Sequence, residues 1–210
     1  MPTGSADGRA LQLSQLPEAV AGVLGRLADA GHQAALVGGS LRDLLRGGAP
    51  GDWDVATSAP PEQVAALFPG ATWENPFGTV TVRATPGPVS VEVTTFRVES
   101  GYRDQRRPDE VQWGGSLEED LSRRDFTINA IGWIPQDLRT RRGLLVDPYD
   151  GAADLQRSVL RAVGDPDQRF SEDALRILRA VRFATRFGLE LDAPTEDALR
   201  RHAASAGTLS

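Results

Sequence analysis

Asp52-Trp53-Asp54 sets two carboxylates at i and i+2. On a β-strand both project from one face. Carboxylates a few ångströms apart repel, and their pKa values rise unless a cation sits between them. A hard divalent ion such as Mg²⁺ takes one or two carboxylates and completes its shell with phosphate oxygens. The same pair also suits a solvated surface turn or a sugar transferase, so it carries little alone. Leu36-Val37-Gly38-Gly39-Ser40 adds a second element. It is an apolar strand running into glycines at a helix start, where backbone N–H groups and the helix terminus favour an anion. Arg42, one turn further, brings a guanidinium to the same anion. Glu92 lies mid-strand, opposite in phase to Val91 and Val93. A third acid there serves to hold a metal or to take a proton from an attacking hydroxyl, or is simply a solvent-facing strand residue.

Two arginine-bearing segments follow. Arg123-Arg124-Asp125-Phe126-Thr127-Ile128-Asn129-Ala130 puts two cations beside a helix start, either to grip nucleotide phosphate or ribose, or with Arg124 paired to Asp125. In Ser171–Arg182, helical periodicity gathers Asp173, Arg176, Arg179 and Arg182 in one sector, away from Ile177, Leu178 and Val181. A solvated charged face is the plain alternative. An acid followed one turn later by a guanidinium also makes a base-reading template. Asp accepts from an exocyclic amino group and Arg donates to the neighbouring ring acceptor, a pattern that cytosine and adenine meet and that uracil and guanine reverse.

The elements that must position these groups are legible from periodicity. Pro17–Ala30 is predicted as a helix, closed by Gly31; Gln33–Val37 as a strand; Leu41–Arg46 as a helical turn or two; Trp53–Ala56 as a strand; and Pro60–Phe68 as a helix. Gly78–Arg97 alternates with period 2 around Pro86-Gly87-Pro88, a β-hairpin. Glu99–Gly115 reads as a charged loop, and Ser116–Gly132 as a helix opened by a Ser116/Glu119 capping box. Arg139–Gly143 is a basic turn before a strand at Leu144–Val146. From Asp154 onward the chain reads as helical, with Ser171–Phe187 the longest helix, and the residues up to about Leu13 read as disordered. The 210 residues carry a net charge of −6, and all 23 basic residues are arginine. Net acidity argues against a wholly basic nucleic-acid binder and leaves room for a local arginine-lined cleft. With no cysteine, thiol catalysis and thiolate zinc are excluded, and two histidines leave little room for a His-rich metal site. No apolar run reaches the length of a membrane span and no signal peptide is visible, which predicts work in the cytoplasm.

LVGGSLRD (36–43), DWDVAT (52–57), RRDFTINA (123–130), DPYDGAADL (147–155) and EDALRILRAVRF (172–183) together resemble the successive motifs of class II tRNA nucleotidyltransferases and bacterial poly(A) polymerases. The resemblance implies an α/β (α+β) fold. Residues 1–145 would form a polymerase-β-like head with a mixed sheet, and residues 146–210 an all-helical neck that stops before body and tail domains. It implies Asp52 and Asp54 as metal ligands for Mg²⁺, with Glu92 as the third acid. Gly38, Gly39 and Arg42 would meet the triphosphate, and Arg123 and Arg124 would hold the nucleotide. Asp173 and Arg176 would read the base, supported by Arg179 and Arg182. The implied partners are a tRNA 3′ end, ATP and CTP, with no membrane and no protein partner. A full-length loop at Val98–Val111 favours CCA addition or addition of the terminal A, with the stretch Arg103–Arg107 tilting Asp173 and Arg176 between bases. A poly(A) polymerase and a non-catalytic RNA- or nucleotide-binding module are the rival expectations.

Overall fold

A computed structural model of the protein describes residues 9–73, 78–100 and 110–207. Its first part is a mixed sheet of seven strands: β1 (Arg9–Gln12), β2 (Ala34–Val37), β3 (Trp53–Thr57), β4 (Thr79–Ala84), β5 (Val89–Thr95), β8 (Gly132–Asp137) and β9 (Arg142–Val146). They lie side by side in the order β1-β9-β8-β2-β3-β5-β4. Only β3 and β5 run parallel within it. Helices α1 (Glu18–Asp29) and α3 (Pro61–Leu67) roof one face, where Val20, Val23, Leu24 and Leu27 pack with Val55, Val80, Val82, Val91 and Val93. That is the burial expected of an amphipathic stripe against the apolar side of alternating strands. On the other face Ala35, Val37 and Ala56 pack under Leu117 and Leu121 of α4 (Leu117–Ser122). The α/β class with a mixed sheet is therefore as expected.

Helix α2 (Gly38–Leu45) starts directly at the end of β2, three residues earlier than periodicity suggests. Gly38 makes this possible: its φ of +66° is a left-handed conformation that costs glycine little.

Several expectations are corrected. Arg9–Gln12 is not disordered; it pairs with β9 as an edge strand, and the Trp133 indole donates to the Leu11 carbonyl. The capping box at Ser116 and Glu119 is present, but the helix stops at Ser122 instead of running to Gly132. A 3₁₀ turn (Thr127–Asn129) and β8 replace its second half. The cause is Asp125, whose carboxylate accepts from the Phe126 N–H and the Asn129 amide and so competes with helical bonding. The ends of the charged loop form a two-stranded ribbon, β6 (Arg97–Ser100) with β7 (Glu110–Trp113). Its tip, including Arg103–Arg107, lies outside the described residues.

Past β9 the chain is helical: α5 (Gly151–Arg157), α6 (Pro166–Glu172), α7 (Leu175–Phe187) and α8 (Ala193–Ala206). The exception is a two-residue parallel pair, β10 (Val159–Leu160) with β11 (Glu190–Leu191). Asp154, buried in α5, ties this segment to the sheet part by accepting from the Thr127 hydroxyl (2.7 Å), and within the segment it accepts from Arg161 (2.9 Å). Gly151 permits that approach, because a Cβ there would overlap the Thr127 carbonyl. The expected helix Ser171–Phe187 is two helices. Asp173 breaks it with extended backbone (φ −145°, ψ 107°), and its carboxylate caps the Leu175 N–H at 2.9 Å. Among the described residues no helix is long and apolar enough to cross a membrane.

Candidate active site

The end of β2, the start of α2 and the middle of β3 meet at one point. Asp54 lies against the first amides of α2. Burial raises its pKa, as does the charge of Asp52, against the Arg124 guanidinium and hydrogen bonds from the Ser40 and Gly39 backbone. The Ser40 hydroxyl donates to the Val37 carbonyl (2.9 Å). A Cβ on Gly38 would stand 2.8 Å from an Arg124 nitrogen and 3.3 Å from an Asp54 oxygen. Glycine is thus required for space as well as for φ. Glu92 is the register partner of Asp54 in the parallel β3–β5 pair. Although Glu92 keeps an exposed surface, partial desolvation and the charges of Asp54 and Asp52 push its carboxyl above the usual value. Asp52 is exposed in the bend just before β3 and not on the strand itself.

These acids form a hard-oxygen donor set. Among the described residues no three His, Cys, Asp or Glu side chains close around one point to hold a metal ion. The residues present suit a divalent ion that takes one or two carboxylates and draws its remaining ligands from phosphate and water.

The two arginines of the Arg123–Ala130 run are clamped by a residue the sequence did not bring forward. Asp120, 1% exposed, accepts from Arg123 (2.6 Å) and from Arg124 (3.0 Å). Burial opposes its ionisation, but the charges and hydrogen bonds of Arg124 and Arg123 carry its pKa below the ordinary value. The i,i+3 and i,i+4 spacing from Asp120 was the available signal. Arg124 therefore does not pair with Asp125. Asp125 instead accepts from Arg179 of α7 at 2.7 Å. Asn129, also not singled out, joins Asp125 (3.1 Å) to Arg42 (2.7 Å). Arg42 is buried, salt-bridged to Asp43, and stacked over Phe187 at 4.4 Å.

Helix α7 meets its expected orientation in part: Ile177 is buried and Arg179 and Arg182 are exposed, but three positions differ. Arg176 is buried beside Ile177, Ala180 and Phe183, while Leu178 and Val181 are exposed. Arg176 alone of the arginine sector turns inward, because acceptors await it there; Arg179 and Arg182 stay exposed. Arg176 donates to Glu172 (2.7 Å) and to the Arg123 carbonyl (3.3 Å), and Phe183 meets Phe126 edge-on at 5.8 Å. Asp173 is half-buried; burial raises its pKa against the Leu175 hydrogen bond and the charges of Arg176 and Arg179.

All these elements border one cleft of about 700 Å³. Gly38, Gly39, Arg42, Asp54, Arg123, Arg124, Asp173, Arg176, Arg179 and Arg182 line it. Asp52 and Glu92 are not in its lining and stand exposed beside Asp54. Thr79, Thr94 and Arg186 also border it, unforeseen. The walls hold eight arginines against three aspartates in a chain whose net charge is −6, so the cleft is a local basin for anions.

Residues 34–161 match the poly A polymerase head domain. Among curated proteins, the CCA-adding enzyme of Lactobacillus helveticus is 50% identical over 179 residues, 85% of this chain and 43% of its own. That of Geobacillus kaustophilus is 44% identical over 193 residues, 89% of this chain and 44% of its own. Among solved structures, Bacillus stearothermophilus CCA-adding enzyme in complex with CTP superposes with a TM-score of 0.79 at 40% identity, covering 92% of this chain and 45% of that one. Thermotoga maritima CCA-adding enzyme complexed with tRNA(CCA) gives 0.71 at 25% identity, covering 92% and 45%. The chain spans just under half the length of the curated relatives it matches.

Proposed function

The chain belongs to the poly A polymerase head-domain family, and from that premise we propose that it carries the catalytic part of a template-independent tRNA nucleotidyltransferase. It adds C and A, or the terminal A alone, to a tRNA 3′ end from CTP and ATP and releases pyrophosphate. The observation that carries this reading is the opening of Asp54 and Asp173 onto the same arginine-rich cleft. A phosphate site and a base-reading site then share one ligand. The CTP and tRNA complexes of the similar CCA-adding enzymes support the choice of substrates. Residues 1–145 are assigned to nucleotidyl transfer and 146–210 to the neck. The tRNA pool such an enzyme serves is cytoplasmic, which is the compartment we assign.

The Arg124 guanidinium and the glycine start of α2, whose Gly39 and Ser40 amides also meet Asp54, receive the triphosphate. Arg42 is saturated by Asp43, Asn129 and Phe187, so it shapes this end of the cleft and adds its charge there. Asp54, with Asp52, would hold Mg²⁺, and Glu92 would complete the acidic group. The ion, when bound, lowers the pKa of the attacking hydroxyl and neutralises charge on the α-phosphate. The RNA O3′ bonds to the α-phosphorus, the bond to the β-phosphate oxygen breaks, and the hydroxyl proton passes to Glu92. Asp173 accepts from the exocyclic amino group of cytosine or adenine and Arg176 donates to the adjacent ring nitrogen. Glu172 and two backbone carbonyls hold Arg176 in one orientation. Such a preset donor leaves a wrong base with unpaired polar groups, which is costly in a buried site.

The test supplies the protein with tRNA ending at the discriminator base, at C and at CC, each with one labelled nucleotide at a time. Addition that stops at CCA is expected. Long adenylate tracts on arbitrary RNA would replace this reading by a poly(A) polymerase, and no Mg²⁺-dependent incorporation at all by a binding module. A second expected result concerns the turn. Gly38→Ala should weaken ATP binding by about tenfold or more and cost about 1–2 kcal/mol of stability, because the new Cβ meets Arg124 and forces a left-handed alanine. Titration with a fluorescent ATP analogue and thermal melting read the two effects.

A further inference from the structure

The polar face of β3, β5 and β4 carries one basic side chain, Arg83, with no work so far. The register sets Asp54 beside Glu92 and Glu92 beside Thr81. In the next row Ser90 pairs with Arg83, and Asp52 precedes the Trp53–Val91 pair. Residues two apart on a strand share a face, so Arg83 stands on the face of the acids, diagonal to Glu92. Val80, Val82, Val91 and Val93 are buried on the opposite face, which fixes this phase. Arg83 is exposed, and no hydrogen bond or ion pair engages it among the described residues.

Granting the proposed function, an RNA end whose O3′ lies at Glu92 and Asp54 brings its own phosphodiester one nucleotide back. Asp54 and Glu92 on that face, with Asp52 in the bend beside them, repel it. A cation is needed on the same face, about one row away from the reacting oxygen, and Arg83 is the only basic residue in these three strands. We propose that Arg83, flanked by the Ser90 hydroxyl, binds the last phosphodiester of the acceptor RNA and sets its 3′ end against the acids. Guanidinium suits this contact because it grips two phosphate oxygens at once.

The test is a chemical double-mutant cycle on the whole protein with RNA ending in CC. The last internucleotide linkage is either natural or an uncharged methylphosphonate. Arg83→Ala should weaken binding of natural RNA about tenfold, a typical loss for one charge-assisted contact. It should also reduce the salt slope of log K by about 0.7, the value for one phosphate contact on a single strand. ATP affinity and melting temperature should not change, and Arg83→Lys should recover much of the loss. The methylphosphonate should weaken the wild type by a similar factor and the Arg83→Ala protein little further. Equal sensitivity of both proteins to the uncharged linkage would overturn the assignment while leaving nucleotide transfer intact. Failure of the wild type to bind or extend RNA at all would remove the underlying function, and this subsite with it.

Discussion

Asp54→Asn is expected to abolish nucleotide transfer, by about three orders of magnitude or more, while ATP binding stays within a few-fold of normal. The magnitude is that of removing a fixed charge aimed at the reacting centre. Binding survives because the triphosphate is received by the α2 amides and Arg124, and the base by Asp173 and Arg176, none of which changes. Stability separates this from a structural defect. Burial and Asp52 raise the Asp54 pKa in the fold. A carboxyl whose folded pKa exceeds its unfolded value costs stability at all pH above the folded pKa, and the cost vanishes below the unfolded one. At neutral pH the uncharged asparagine is therefore relieved of that cost, so the variant should melt no lower than the wild type. Inactive, nucleotide-binding and undiminished in melting temperature is the expected combination, read by α-labelled ATP transfer, ATP titration and a thermal scan. Persistent transfer would refute the metal role of Asp54. A large fall in melting temperature would show that it is held there for packing.

The legible part of this molecule is what rests on local period. The apolar stripe of α1, the alternation of β4 and β5, and the capping box of α4 depend on neighbours two to four residues apart, and all three are present. The glycine turn and the acidic pair were readable because their chemistry is written in adjacent residues. What was not legible depends on partners far along the chain. The edge strand β1 exists because β9, more than a hundred residues away, leaves a row of free backbone groups. The helix expected to reach Gly132 ends early because Asp125 finds Asn129 and the distant Arg179 as partners. Three positions of α7 departed from expectation for the same reason, while Ile177 went inside and Arg179 and Arg182 stayed exposed as its periodicity suggests. Leu178 and Val181 looked like core by polarity, but Arg176 had Glu172 and a main-chain carbonyl waiting inside, so a charged residue went in and two apolar ones stayed out. A buried arginine with acceptors in place is affordable where a helical wheel counts it as surface.

The same logic makes Asp120 the residue whose loss should most disturb the site without touching a ligand. It holds Arg123 and Arg124 with both carboxylate oxygens, and the two guanidiniums are themselves mostly buried. The Arg124 Nε already lacks a partner, so little else can take over the compensation. Asp120→Ala strands two cations and should cost about 3–5 kcal/mol, the range for breaking a buried ion pair by removing one member. Asp120→Asn keeps the shape and one acceptor and should cost less, which keeps a folded protein available for assay. In that protein Arg124 is free to leave its position beside Gly38 and Asp54, and the KM for ATP should rise by about ten- to a hundredfold, the loss expected for one charge-assisted contact. The pH dependence carries the sign. Because the folded pKa of Asp120 lies below the unfolded one, its stabilisation is fully present above the unfolded value, near 4, and is lost as pH falls through the folded value. Urea unfolding of the wild type should therefore weaken in that acid window, and the Asp120→Asn protein should be flatter there and less stable at neutral pH. Equal acid sensitivity of the two proteins, or an unchanged KM for ATP, would mean that the pair is held by other contacts, such as that of Arg124 with the Asn129 carbonyl, and not by this carboxylate.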